Sequence, residues 1–441
     1  MKKFDFTEKK IIGIFFIGEI HRMKIKCENI GKLESAEVEV NTVTVIAGLN
    51  STGKSTIGKL FYCIFNSLYN LENAARDKLK NILRKYIGDK DFFFEPSFEK
   101  VGYCVKELFD LRNRADIDSV RVIIESYMGT EFVNNRNDTF FIDLVDLLNI
   151  SNDVIYRSLL QNKLSEEFEG QIQNFYLNKN SSINLKIDKK EINVLLQNNE
   201  VSVLENFMNL RTEAIYLDDP FVLDTLNKRP MLISGHKKSL FNKLRTPLNT
   251  KTETEIESVI KEIVRTKKID TIYKKLDSVC NGNIVLDPKE GFKFQIENSK
   301  EKLNIINIST GLKAFVIIQS LLINGSLEKQ GTLILDEPEI HLHPEWQKLL
   351  AEIIILIQKE FDMHILINSH SPYFINAIDI YAKKYKIRNT CKFYLAKDTD
   401  ETHRTSTIED VSDNIEEINK LLFIPLQDLE NERSEINEEN D

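Results

Sequence analysis

Residues 43–60, VTVIAGLNSTGKSTIGKL, constrain the fold of this chain more than any other segment. The apolar, β-branched run at 42–47 predicts a buried strand. Apolar residues then recur at Ile57, Leu60, Phe61 and Ile64, which is the spacing of an amphipathic helix. Between strand and helix lies the pattern G-x-x-x-x-G-K-S, and this context is that of a phosphate-binding loop.

The spacing has a chemical reason. Gly48 and Gly53 allow the backbone to curl so that successive N–H groups point inward at phosphate oxygens. The helix that begins near Gly53 adds its positive end. Lys54 should reach the β- and γ-phosphates, and the Ser55 hydroxyl should hold Mg²⁺. A glycine turn without a ligand is the alternative, and the flanking strand and helix favour a nucleoside triphosphate site.

Composition restricts the setting. The chain has 441 residues, enough for two or three structural units, and a net charge of -9, so any nucleic-acid contact must be a local patch. Five scattered cysteines without a C-x-x-C pair favour reduced thiols in a cytoplasm. No apolar run reaches the roughly 18 residues of a membrane helix, so no membrane association is expected. Residues 1–22 are interpreted as a leader, with a packed extra strand as the alternative.

The remaining chain divides by pattern. Residues 23–65 predict an ATPase N-lobe, 66–169 a helical insertion, 170–217 antiparallel strands of the N-lobe, and 218–282 a helical, basic segment. Residues 283–427 predict a C-lobe, with short strands at 284–286, 292–296 and 303–308. The last part, 428–441, carries seven acids and one arginine and predicts a disordered acidic tail.

Two charged features have open interpretations. Asp218 and Asp219 follow a predicted strand, where paired carboxylates bind metal or, more commonly, form a turn and a helix cap. Residues 228–268 contain eleven basic and four acidic residues, a local excess of +7. This excess is typical of a phosphate-backbone contact or of a solvated helical face.

A second set of motifs lies in the C-terminal half. An apolar strand at 332–335 ends in Asp336-Glu337-Pro338, a Walker B pattern in which Asp336 orders Mg²⁺ and Glu337 acts as general base. Upstream, Ser309-Thr310-Gly311 precedes a helix, with Ser309 as a candidate N-cap and free N–H groups for an anion.

Histidines follow at two further positions. His341 and His343 precede a helix that starts at Pro344, and they could share a metal only with a third ligand that the sequence does not reveal. A strand at 364–367 is followed by His370-Ser371-Pro372. We expect this strand end to lie beside Asp336, and therefore interpret His370 as a contact to the γ-phosphate.

In this order the motifs resemble the ABC-type ATPase heads of the SMC, RecF and overcoming-lysogenisation-defect (OLD) group. The chain is similar to stand-alone "AAA family ATPases" of anti-phage defence, of the Septu PtuA-like type. The resemblance implies an α/β fold, a P-loop NTPase with a mixed sheet flanked by helices and a large, mainly helical insertion between Walker A and the signature motif. It implies ATP and Mg²⁺ as ligands, bound by the following residues: Gly48, Leu49, Asn50, Ser51, Thr52, Gly53, Lys54, Ser55 and Thr56, with Ser55 and Asp336 on the metal.

The family also implies a composite site. Two subunits enclose two nucleotides, so Ser309 and Gly311 would act in trans on the partner's nucleotide. Thr310 of the same signature loop and His343, at the closing position of the D-loop, would also line the nucleotide site. Glu337, His370 and Lys54 would be the catalytic residues. The chain departs from transporter subunits because Thr310 and Leu312 replace the usual glycine and glutamine, and the Q-loop glutamine is not evident, with Gln171 and Gln173 as weak candidates.

Three functions are compatible with the sequence. The first is an ATP-hydrolysing switch that forms a homodimer or a higher even oligomer on ATP and controls a separate effector, a nuclease, in anti-phage defence. The second is a RecF- or SMC-like clamp whose DNA binding is gated by ATP and uses residues 228–268. The third is a non-hydrolysing scaffold or toxin-neutralising subunit that keeps nucleotide as a structural ligand.

Overall fold

The computed structural model describes residues 22–88, 97–177, 179–228, 233–245, 269–399 and 401–439. The interpretation of residues 1–22 therefore falls almost wholly outside the described residues, as does most of the basic segment. The described chain divides into two compact units. The smaller comprises residues 67–162 and 207–211, and the larger comprises the rest.

The larger unit is built on a mixed sheet of eleven strands, in the order β6-β5-β4-β1-β2-β14-β13-β3-β12-β11-β7. Its strands are β1 (Met23–Ile30), β2 (Leu33–Val40), β3 (Val43–Gly48), β4 (Ser181–Ile187), β5 (Lys190–Gln197), β6 (Glu200–Glu205), β7 (Ala214–Leu217), β11 (Thr332–Asp336), β12 (His364–Ser369), β13 (Lys392–Asp398) and β14 (Ser406–Asp410). A separate antiparallel sheet contains β8 (Gly282–Asp287), β9 (Gly291–Ile296) and β10 (Lys302–Asn304).

Helices lie on both faces of the large sheet. They are α1 (Lys54–Leu68), α8 (Gly235–Leu244), α9 (residues 269–280), α10 (Thr310–Ile323), α11 (Pro344–Phe361), α12 (Pro372–Lys384) and α13 (Glu416–Glu439). Val43, Val45 and Ala47 of β3 belong to a buried cluster with residues of α10, α11 and α12. Alternate residues point to the opposite face, where α1 packs. The predicted α/β class with a helix-flanked mixed sheet is confirmed.

Six helices follow α1 in the chain and include those of the smaller unit. They are α2 (Leu71–Gly88), α3 (Phe98–Asp110), α4 (Ile117–Met128), α5 (Thr130–Asn134), α6 (Asp138–Asn149) and α7 (Asn152–Phe168). In the smaller unit, Leu79, Leu83, Leu108, Phe141 and Leu144 are fully buried, so it has an apolar core of its own. Among the described residues, no helix combines the length and apolarity that crossing a bilayer requires.

Three predictions of local structure are wrong. Within 170–217 only β4–β6 are antiparallel, since β7 pairs in parallel with β11. The strand predicted at 303–308 ends at Asn304, and Ile305–Asn307 form a 3-10 turn that buries Ile305. The tail was predicted to be disordered, but α13 extends through it to Glu439. Its Glu, Leu and Arg residues favour helix, and no glycine interrupts it.

Close approach of α1 to the sheet depends on Gly58. A Cβ at this position would lie 3.1 Å from the Tyr216 ring, 3.2 Å from the Asn368 amide and 3.2 Å from Ile334. These three residues sit on β7, β12 and β11, so Gly58 allows the phosphate-loop helix to rest directly on the three strands.

We expect Gly58→Val to lower the free energy of unfolding by about 1–3 kcal/mol, because the added methyls overpack this contact. Urea denaturation measures the change. Gly102→Val is the matched control, since a Cβ on this helical glycine meets nothing within 4 Å. Equal loss in both variants would show that helix propensity, and not packing on the sheet, sets the cost.

Candidate active site

The phosphate-binding loop connects β3 to α1 and is held by close backbone contacts. A Cβ on Gly48 would lie 2.6 Å from the Ala396 carbonyl oxygen, and one on Gly53 would lie 2.7 Å from Leu33. Gly53 has φ of 84° and Ser51 has φ of 62°, both left-handed. Side chains at the two glycines would therefore displace the loop from β13 and β2.

Lys54 points into this loop and is 4% exposed. Its Nζ donates hydrogen bonds to the carbonyl oxygens of Gly48 at 3.0 Å and Leu49 at 2.8 Å. The same Nζ lies 3.8 Å from Oε1 of Glu337. Burial lowers the pKa of Lys54, and the carboxylates of Glu337 and Asp336 oppose that shift. The phosphate-loop motif and the Walker B motif therefore come together within one chain.

Asp336 is clamped between two neighbouring strands. Its Oδ2 accepts a hydrogen bond from the Tyr216 hydroxyl at 2.7 Å, and its Oδ1 accepts one from the Asn368 amide at 3.0 Å. The carboxylate is 7% exposed, so these contacts determine its orientation. Tyr216 stands on β7 and Asn368 on β12, on either side of β11.

Glu337 and His370 form a pair beside Lys54. Oε1 of Glu337 lies 3.1 Å from Nδ1 of His370. The hydrogen bond with His370 lowers the pKa of Glu337, although burial opposes this, and hydrogen bonding to Glu337 raises the pKa of His370. Glu337 is therefore ionised at neutral pH and able to accept a proton. Its backbone has φ of 49°, and its N–H donates to the Asn368 carbonyl at 2.9 Å.

Glu339 is a site residue that the sequence motifs did not reveal. It is 3% exposed, and its Oε1 accepts hydrogen bonds from the Ser369 hydroxyl at 2.5 Å and the His370 N–H at 3.3 Å. Burial raises its pKa. Tyr216 and Asn368 were missed as well. Of these residues, only Asn368 could have been found from the sequence, because it lies at the same predicted strand end as His370.

The signature residues lie against the D-loop of the same chain. Ser309 is the N-cap of α10, but its hydroxyl makes no capping hydrogen bond. A Cβ on Gly311 would lie 3.0 Å from the His341 carbonyl oxygen, so a side chain here would push the two loops slightly apart. His343 is the N-cap of α11, where its Nδ1 accepts from the Glu345 N–H at 3.4 Å. Ser309 and His343 are both exposed.

The Q-loop candidates Gln171 and Gln173 lie in the connection between α7 and β4. Gln173 is tied to the far half of the sheet, where its Oε1 accepts from the Asn199 N–H at 2.6 Å and its Nε2 donates to Ser181 at 3.1 Å. The strand beside β11 is β7, and Asp218 follows its last residue. The sequence could not reveal that β7 lies beside β11, because the two strands are far apart in the chain and pair only in the folded sheet.

Asp218 and Asp219 act differently from each other. The Asp219 carboxylate accepts a hydrogen bond from the Phe221 N–H at 2.8 Å and so caps the following 3-10 turn. Asp219 therefore has the turn-and-cap role that the sequence offered as the alternative to metal binding. Asp218 Oδ2 lies 3.1 Å from Nε2 of the buried His236. Across the residues that the structure describes, no three His, Cys, Asp or Glu side chains form a potential metal site, so a shared metal at His341 and His343 has no support.

Two of the five described basic residues of this segment, Lys237 and Lys243, are paired with carboxylates. Lys237 lies 3.3 Å from Asp219, Lys243 lies 2.8 Å from Glu213, and Arg245 packs over the Phe241 ring at 5.1 Å. Six of the eleven basic residues of 228–268 lie outside the described residues: Arg229, Lys251, Lys261, Arg265, Lys267 and Lys268. The nucleic-acid contact therefore remains a prediction.

The residues present fit Mg²⁺ and a triphosphate. Ser55 and Asp336 offer the hard oxygen ligands that Mg²⁺ prefers. The two loop glycines leave no room for a Cβ, and the loop folds around the buried Lys54 amine, as a phosphate-binding loop requires. These features define a P-loop ATPase site.

Comparison with known proteins gives the family. Residues 23–375 match the AAA ATPase domain family, and the chain belongs to it. It is similar to the Retron Ec83 probable ATPase of Escherichia coli, with 24% identity over 402 residues that cover 82% of this chain and 70% of that protein. It is 28% identical over 107 residues to the uncharacterized protein L75 of Acanthamoeba polyphaga mimivirus, covering 24% of this chain and only 31% of that protein.

Solved structures with similar folds include heads of SMC proteins. An SMC head bound to the C-winged helix domain of ScpA matches with a TM-score of 0.40 at 12% identity, covering 88% of this chain and 97% of that one. The SMC head domain from Thermotoga maritima matches with a TM-score of 0.35 at 10% identity, covering 89% and 99%.

The surroundings of His236 give a pH prediction. Burial opposes its charged form, but hydrogen bonds and attraction from Asp218 and Glu167 outweigh burial and raise the pKa of His236 to about 9. The stabilisation from the charged ring is therefore complete below pH 6.5, its ordinary pKa, and is lost as the pH rises through about 9.

We expect the difference in unfolding free energy between wild type and His236→Gln to be largest at pH 6 and to shrink by pH 9.5. Urea denaturation at the two pH values measures it. A difference that stays constant with pH would mean that the ring is neutral in the folded protein.

Proposed function

We propose that this protein is a Mg²⁺-dependent ATP hydrolase that works as a dimerising switch and controls a separate effector, a nuclease, in anti-phage defence. The observation that carries the ATPase part is the contact of Glu337 with both Lys54 and His370. A loop lysine can hold the γ-phosphate, and an ionised carboxylate oriented by a histidine can take the proton of a water that attacks in line.

The roles follow from the contacts. Lys54 and the loop N–H groups hold the β- and γ-phosphates, and α1 directs its positive end at them. Glu337 accepts the proton of the attacking water, while His370 orients Glu337 and donates to the γ-phosphate. Ser55 and Asp336 would hold Mg²⁺, and a bound Mg²⁺ would supply neutralisation of the charge on the phosphate oxygens.

The dimer part of the proposal draws on the signature surface. Ser309 has a hydroxyl without a capping partner, and Gly311 brings the start of α10 against the His341–His343 loop, so Ser309 and His343 are both exposed for a partner subunit. The resemblance to ABC-type heads assigns this surface to the nucleotide of a second copy.

The defence part is supported by the resemblance to Septu-type ATPases and by the retron protein among the relatives, which is itself named a probable ATPase. The catalytic motifs of this chain all belong to the ATPase site. The proposal therefore assigns the effector reaction to another protein.

Replacing the general base tests hydrolysis directly. We expect Glu337→Gln to reduce ATP turnover by about 10²–10⁴-fold, because the amide cannot take the proton of the attacking water. Phosphate release measures turnover, and a fluorescent ATP analogue shows that binding is retained. Glu301→Gln, at an exposed position, is the control and should keep wild-type turnover. Unchanged turnover in Glu337→Gln would remove Glu337 from this role.

Mixing two inactive variants tests the shared site. Lys54→Ala disables the phosphate loop and Ser309→Arg disables the signature surface, so each variant alone should hydrolyse little ATP. In a mixed dimer, one composite site combines an intact loop with an intact signature surface. We expect turnover to return in the mixture, rising with the concentration of either variant. A mixture no more active than its separate components would argue against action in trans.

A further inference from the structure

A buried charged cluster lies behind the Walker B carboxylate and takes no part in the mechanism above. Its centre is His236, the second residue of α8, whose Nδ1 lies 2.6 Å from Oε2 of Glu167 and whose Nε2 lies 3.1 Å from Oδ2 of Asp218. The His236 side chain is 8% exposed and that of Glu167 is 3% exposed. Each ring nitrogen of this desolvated histidine therefore lies within ion-pair distance of a carboxylate, and Nδ1 is hydrogen-bonded to Glu167.

The backbone is shaped to admit this arrangement. Gly235 has φ of 58°, and a Cβ there would lie 2.4 Å from Oε1 of Glu167. That oxygen accepts a hydrogen bond from the His236 N–H at 2.5 Å. One carboxylate thus holds both the backbone and the ring of His236, which leaves the imidazole little freedom to turn.

The ring of His236 packs on a residue that contacts the site. Its centroid lies 4.4 Å from that of Tyr216, and Tyr62 stands edge-on to both rings at 6.0 Å. The hydroxyl of Tyr216 donates to Oδ2 of Asp336 at 2.7 Å. Contacts therefore run from His236 through the Tyr216 ring to the carboxylate proposed to order Mg²⁺.

We infer that His236 is a positioning residue of the ATPase: held between Glu167 and Asp218, it fixes the Tyr216 ring and thereby aims Asp336 at the metal. This inference rests on the proposed role of Asp336. A change at His236 should therefore weaken the effect of Mg²⁺ on nucleotide binding. It should leave nucleotide binding without Mg²⁺ unchanged, because the phosphate loop contacts the nucleotide independently of His236.

The effect should be specific to the metal. Groups that orient a metal ligand typically contribute about 10–100-fold to metal affinity. The quantity to measure is the factor by which Mg²⁺ strengthens binding of a fluorescent ATP analogue, relative to binding in EDTA. All variants are compared in the Glu337→Gln background, where hydrolysis does not disturb the equilibrium.

We expect Tyr216→Phe to reduce this factor by about tenfold or more, because the hydroxyl that orients Asp336 is lost. His236→Gln should reduce it in the same direction while binding in EDTA stays unchanged. In the double variant His236→Gln should add nothing further, since its effect passes through the Tyr216 hydroxyl. His364→Gln is the matched control, a buried histidine at the other end of β12, and should leave the factor unchanged.

Three results would overturn the inference: an unchanged Mg²⁺ factor in His236→Gln, an equal loss of binding with and without Mg²⁺, or additive effects in the double variant. If circular dichroism shows that His236→Gln does not fold, Glu167→Gln replaces it in the same cycle, with the same expectations. Asp336→Asn separates the two proposals. If Mg²⁺ still strengthens binding fully in that variant, the metal role of Asp336 itself fails, whatever His236 does.

Discussion

Parallel pairing of β3, β12, β11 and β7 is the constraint on which the site depends. Parallel strands in register bring their carboxyl ends to one edge, and here these ends carry the phosphate loop, His370, Asp336 with Glu337, and Asp218. Ile367 pairs with Val45 and with Leu335, so the register is fixed by fully buried side chains. A slip of one residue would turn these side chains to the wrong face and separate Lys54 from Glu337.

The residues proposed to contact the substrate were predictable because each belongs to a short contiguous motif. The loop residues 48–55, the Asp336–Glu337 pair and His370 each follow an apolar run, and the rule that such strands share an edge was enough to expect them together. Lys54 lies 3.8 Å from Glu337, so the motifs do come together within one chain.

The groups that orient the site were not predictable in the same way. Tyr216 becomes a partner of Asp336 only because β7 pairs with β11 across more than a hundred residues of chain. His236 contacts Glu167 because the backbone adopts a left-handed conformation at Gly235. The helical tail was misread for another reason, since its acidic composition suggested disorder while its residues have good helix propensity.

The end of β12 has a mechanical consequence. Asn368 holds Asp336 through its side chain and Glu337 through its carbonyl oxygen, and His370 stands two residues further on. A displacement of His370 would therefore be passed through Asn368 to both Asp336 and Glu337, the residues proposed to hold the metal and to accept the proton. If these residues have the roles proposed above, the tip of this one strand would link recognition of the terminal phosphate to bond cleavage.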